Sequence, residues 1–155
     1  MLLNVLAVGD IVGEGGQDIL ARRLREIQKE QDIHFTVVNG ENASGVGLTP
    51  RQARGMYDAG ADVITLGNHT WNRIQITEFL EKDPISSVRP TTPGGCRPGL
   101  RGLDGPKGLK IGVMNLMGRL ELNSNLDSPF KAANQLLRTR QAEECQVILV
   151  DFHAE

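Results

Sequence analysis

Val63-Ile64-Thr65-Leu66-Gly67-Asn68-His69-Thr70-Trp71 sets three β-branched residues and a leucine against a glycine and then a polar run. The first four suit a strand, and the glycine with the polar residues suits the loop that leaves it. The same order recurs on both sides. Leu3 to Val8 is a mainly apolar run that breaks at Gly9-Asp10, and Phe35-Thr36-Val37-Val38 ends at Asn39-Gly40-Glu41-Asn42. Further along, Leu109 to Leu116 reads as a strand, and Val147-Ile148-Leu149-Val150 precedes Asp151-Phe152-His153.

Helical patterns separate these runs. Gln17 to Gln31 places Leu20, Leu24 and Ile27 on one face and charged residues elsewhere, which predicts an amphipathic helix on a sheet. Thr49-Pro50 supplies an N-cap followed by proline at the first helical position, and Gly60 closes that helix. A third helix spans Ile76 to Lys82 before Pro84, and Ser128-Pro129 opens a last one reaching about Glu144. Ser86 to Gly108, rich in proline and glycine, reads as an irregular excursion. Alternation of strand and helix predicts the α/β class with a parallel sheet.

The chain has 155 residues, 39% of them hydrophobic and 23% charged, which fits a single globular domain over residues 1–155. A fold of this length hides roughly 70% of its unfolded surface, so no metal is needed merely to hold a core. Seventeen Lys plus Arg against nineteen Asp plus Glu give a net charge of −2, too balanced for the footprint of a duplex-binding protein. Cys96 and Cys145 form no CxxC pair and suit a reduced, cytoplasmic setting. The first apolar run is too short to cross or enter a membrane.

Position gives the polar residues their meaning. Asp10, Glu41 with Asn42, Asn68 with His69, Asn115, and Asp151 with His153 each follow an apolar run. In a parallel sheet all carboxyl ends share one edge, the place where open α/β folds bind ligands. Carboxylate, amide and imidazole are the ligands of a hard or borderline divalent ion such as Mn²⁺, Fe²⁺ or Mg²⁺. Asp and Asn are also common turn and cap residues, and a lone histidine in an apolar strand end is often a core residue. Glu41 is harder to explain that way, because Glu is neither a favoured turn former nor cheaply buried. GxGxxG fails at its third glycine after the first strand, and neither a Walker lysine nor a GxSxG elbow is present.

Gly9-Asp10-Ile11-Val12-Gly13, Asn39-Gly40-Glu41-Asn42-Ala43, Gly67-Asn68-His69-Thr70-Trp71, Asn115-Leu116-Met117-Gly118-Arg119, Asp127-Ser128-Pro129-Phe130 and Asp151-Phe152-His153-Ala154-Glu155 together resemble the calcineurin-like metallophosphoesterases, in their YmdB-like branch. Val12, Glu41 and Thr70 stand where the broad superfamily has a histidine, a bridging aspartate and an acidic residue, and all three follow the branch pattern. The resemblance implies an αββα sandwich whose strands lead into metal-binding loops. It implies two divalent ions, iron or manganese, with Asp10 and Asn42 on the first, Asn68 and His153 on the second, and Glu41 bridging both. A hydroxide shared by the metals would attack phosphorus in line, and His69 would protonate the leaving oxygen, a task that suits an imidazole.

The substrates implied are 2′,3′-cyclic nucleotides or related small phosphodiesters, handled by a homo-oligomer without duplex nucleic acid or membrane. Family members continue past Asp-Phe-His-Ala-Glu to a Gly-x-His-x-His motif. The expectation for the 155 residues is therefore a sandwich incomplete at the C-terminus, with impaired activity. The alternative is a non-catalytic α/β protein that binds phosphate or a partner.

Overall fold

A computed structural model describes residues 2–82, 100–120 and 126–154. Most of the excursion expected over Ser86 to Gly108, and Cys96 with it, lies outside these residues. The chain divides into two compact units, Met1–Ser87 and Val88–Glu155.

In the first unit β1 (Val5–Val8), α1 (Gly13–Glu30), β2 (Phe35–Asn39), α2 (Pro50–Ala59), β3 (Val63–Thr65) and α3 (Gln75–Lys82) follow one another. The strands form a sheet in the order β1-β2-β3, parallel throughout, with Val5 opposite Phe35 and Val37 opposite Val63. Phe35 to Val38 and Val63 to Thr65 are buried residue after residue, the signature of strands covered on both faces. Leu20 and Leu24 of α1, Met56 of α2 and Ile76 of α3 pack with Val38, Leu48, Ile64 and Leu66 in one core. Gly40, just past β2, is pressed into it: a Cβ there would stand 3.1 Å from the Met56 sulfur and 3.2 Å from Ile64 Cγ2. The Gly40 N–H donates to the Thr65 carbonyl at 3.0 Å.

α1 begins four residues earlier than its apolar periodicity indicates, at Gly13 instead of Gln17. Glycines in a helix cost about 1 kcal/mol each relative to alanine. Here the Gly13 N–H donates to the Asn42 carbonyl at 3.1 Å and the Gly16 N–H to the Val12 carbonyl at 3.2 Å, which supports the glycine-rich turn in helical form.

The second unit contains β4 (Leu100–Asp104), β5 (Lys110–Met117), α4 (Pro129–Leu136), α5 (Arg140–Glu143) and β6 (Val147–His153). Its sheet has the order β4-β5-β6, with β4 antiparallel and β6 parallel to β5. The described strands therefore form two three-stranded sheets, not the one parallel sheet that alternation alone suggests. β4 falls within the stretch read as irregular. A Gly105 N–H bond to the Leu109 carbonyl at 2.7 Å closes its turn onto β5, so the glycines there make a hairpin. The single helix expected from Ser128 to about Glu144 is two. Thr139 ends the first, its hydroxyl donating to the Leu136 carbonyl at 2.6 Å, and caps the second by accepting from the Ala142 N–H at 3.3 Å. Leu100, Met114, Leu116, Ala132, Leu136 and Ala142 make this unit's core. Among the described residues no helix is long and apolar enough to cross a membrane.

Candidate functional site

The loops leaving β1 and β2 are zipped together. The Ile11 N–H donates to the Asn39 carbonyl at 3.0 Å and the Gly13 N–H to the Asn42 carbonyl at 3.1 Å. Between them Asp10 takes a φ of 42°, a left-handed conformation that aspartate tolerates better than most residues. Asn42 Nδ2 donates to Asp10 Oδ1 at 2.8 Å. That bond uses the donor end of the amide and one carboxylate oxygen. The amide oxygen and the second carboxylate oxygen are the atoms a hard cation would take.

Glu41, at 4% exposure, is a buried charged residue. Its carboxyl group lies against Gly67, where β3 gives way to the next loop. The turn that begins there is held by Thr70, whose N–H and hydroxyl both donate to the Gly67 carbonyl, at 3.2 and 2.6 Å. Thr70, 1% exposed, thus locks the turn from inside. Asn68 and His69 ride on this turn, both half-buried.

Three side chains that the sequence reading did not assign hold these loops. The Ala43 carbonyl, next to Asn42, accepts from Gln17 Nε2 of α1 at 2.7 Å and from Gln52 Nε2 of α2 at 3.0 Å. Gln52 also completes a capping box, accepting from the Thr49 N–H at 3.0 Å while its own N–H donates to Thr49 Oγ1 at 3.4 Å. The Thr49-x-x-Gln52 spacing signals that box. Nothing local signals the reach to Ala43. Arg73 ties the third loop to the second, donating from Nε to Ser44 Oγ at 3.0 Å and the Val46 carbonyl at 3.1 Å, and from Nη2 to the Ser44 carbonyl at 3.2 Å.

Five of the six expected site residues, Asp10, Glu41, Asn42, Asn68 and His69, therefore sit on the loops that follow the three strands of the first unit. The structure brings Asp10 to Asn42 and the Glu41 carboxyl to the head of the Asn68-His69 turn. His153 belongs to the second unit. It is half-buried at the end of β6, opposite Met117, and its carbonyl accepts from the Gly118 N–H at 2.7 Å. Asn115, fully buried, pairs with Asp151 across the same ladder, and its Nδ2 donates to the Asp151 carbonyl at 3.4 Å.

Among the described residues no group of three or more His, Cys, Asp and Glu side chains is placed to hold a metal ion. What the first unit offers is two carboxylates with two amides, an oxygen-rich set that fits a hard or borderline divalent cation. A groove of about 500 Å³ between α1 and α2 is lined by Glu14, Gln17, Asp18, Arg51, Gln52 and Met56 among others, and by none of the candidate site residues.

Strands followed by loops that carry carboxylate, amide and imidazole side chains make this an α/β protein with polar residues at the carboxyl edge of its first sheet. The chain belongs to the YmdB-like protein family, whose sequence model matches residues 6–155. It is 38% identical over 156 residues to the 2′,3′-cyclic-nucleotide 2′-phosphodiesterase of Bacillus subtilis (strain 168), an alignment covering 99% of this chain and 58% of that protein. The crystal structure of a hypothetical protein from Thermus thermophilus matches with a TM-score of 0.85 and 32% identity over 97% of this chain and 57% of the other. That of a novel phosphatase from Mycoplasma pneumoniae matches with a TM-score of 0.85 and 28% identity over 99% of this chain and 56% of the other. The chain thus spans somewhat more than half the length of these relatives.

Proposed function

We propose that this chain carries the metal-binding loops of a metal-dependent phosphodiesterase that acts on 2′,3′-cyclic nucleotides or related small phosphodiesters. The observation that carries the reading is the buried Glu41 carboxyl at the head of the Asn68-His69 turn, beside the loop in which Asn42 bonds Asp10. Support for the substrate class comes from the Bacillus subtilis relative's name.

Asp10 and Asn42 would hold one divalent ion, Asn68 a second, and the Glu41 carboxylate would serve both; iron and manganese suit these donors. When bound, such a cation pair supplies positive charge toward a phosphoryl group and makes nearby water more acidic. The chain's own contribution is rigid presentation. Two glutamines fix the Ala43 carbonyl and Thr70 fixes the turn, so the oxygens need little reorganisation on binding. His69 shares the turn with Asn68 and would hold the proton for the leaving oxygen, so that a cyclic phosphodiester opens to a phosphomonoester and a free hydroxyl.

Purified protein loaded with Mn²⁺ or Fe²⁺ is assayed with bis-p-nitrophenyl phosphate and a 2′,3′-cyclic nucleotide, alongside His69→Ala. The variant should keep its metal content and lose about 10²- to 10⁴-fold in kcat. Folded wild-type protein that hydrolyses neither substrate with any divalent metal would sink the enzymatic reading in favour of a non-catalytic phosphate-binding or interaction protein.

A further inference from the structure

Gly67 has no positive φ, so the backbone conformation does not call for glycine. Its surroundings do. The three nearest atoms to a Cβ built on Gly67 all belong to the Glu41 carboxyl group: it would overlap Oε2 and Cδ and stand 2.8 Å from Oε1. No real Cβ tolerates such spacing. The obstructing atoms are the end of a flexible side chain, so an added methyl would displace the carboxyl group before it displaced the backbone.

We propose that Gly67 is a positioning residue for the candidate metal centre: the missing side chain opens a slot that fixes where the Glu41 carboxylate sits and how long the acid at position 41 can be. This deepens the metal-site reading above and depends on it for the metal readout alone. Glu reaches one methylene further than Asp, about 1.5 Å, and that methylene carries the carboxylate into the slot. Buried as it is, Glu41 has little room for a second position. Alanine at position 67 would therefore act on the metal through the acid, without touching the metal itself.

The test is a double-mutant cycle between positions 41 and 67, with Mn²⁺ alone as probe, read by equilibrium dialysis and by melting of the metal-free protein. Gly67→Ala is expected to weaken Mn²⁺ binding by about tenfold or more. Glu41→Asp should also weaken it. The double variant Gly67→Ala/Glu41→Asp should bind better than Gly67→Ala alone, because the shorter acid clears the new methyl. Independent, multiplying losses overturn the proposal.

Melting of metal-free protein separates this from failure of the metal reading. Any drop in Tm caused by Gly67→Ala should vanish when position 41 also carries alanine; a drop of the same size in both backgrounds assigns Gly67 to the turn and overturns the slot. If Gly67→Ala does not fold, recovery of folding in Gly67→Ala/Glu41→Ala supports the slot, and failure of that double variant overturns it. Coupled melting in a wild type that binds no Mn²⁺ supports the slot and overturns the metal reading.

Discussion

At the scale of single residues the protein shows two kinds of acidic side chain. Asp10 and Glu41 face the candidate site. Asp62, just before β3, serves the fold: its Oδ2 accepts from the Thr36 N–H at 2.7 Å. Loss of solvent around its carboxyl pushes its pKa above the ordinary carboxylate value, with the Thr36 bond and the Arg25 charge offsetting this only in part. A carboxyl with a raised folded-state pKa binds its proton more tightly in the fold than in the unfolded chain. Its stabilising contribution is complete below the ordinary carboxylate range and is lost as pH rises through the raised value. Asp62→Asn keeps an oxygen for Thr36 and removes this titration, so its stability curve should decline less steeply above about pH 4 than the wild type's. Chemical denaturation across that range checks it, and parallel curves would refute the assignment. That Asp10, Glu41, Asn42, Asn68 and His69 stand on loops after strands was legible because each comes within a few residues of the end of an apolar run. The roles of Gly67, Gln17 and Arg73 were not, because each is defined by a partner 26 or more residues away in sequence, and no local pattern encodes such a pairing.

The elements show where periodicity suffices and where it fails. β2, β3 and α2 sit where the sequence places them, because a β-branched run or a Thr-Pro start leaves few alternatives. The glycines at the head of α1 and the hairpin leading into β5 misled the reading in the same direction, towards irregular chain where the fold has a helix and a strand. The Gly13 bond to the distant Asn42 carbonyl decides the first over local propensity, and the pairing of β4 with β5 decides the second. The break at Thr139 is a cap hidden inside an otherwise helical pattern. α2 carries a prediction of its own: Thr49→Ala removes the capping box and should cost about 1 kcal/mol, a fall of roughly 2–4 °C in Tm. Because Gln52 serves both the box and the Ala43 carbonyl, Gln52→Ala should cost more than Thr49→Ala in the same melting experiment. Equal losses would show that the bond to Ala43 contributes nothing.

For the whole molecule, the proposed cation site would link metal to stability, because its loops come together only in the fold. Mn²⁺ at 100 times its dissociation constant should stabilise the native state by about 2.7 kcal/mol. That is a rise of roughly 5–11 °C in Tm, reversed by EDTA; a Tm indifferent to both would contradict the linkage. One consequence concerns chemical ageing. Asn39-Gly40 is the dipeptide most prone to deamidate, through attack of the glycine nitrogen on the asparagine side chain. In the fold that nitrogen is engaged with the Thr65 carbonyl, and the Asn39 Oδ1 accepts from the Glu41 N–H at 3.3 Å. Native protein stored at neutral pH should therefore keep its intact mass at this position, while protein held in denaturant gains the one-dalton signature there. The shelf life of the loop that carries Glu41 and Asn42 is set by the fold around it.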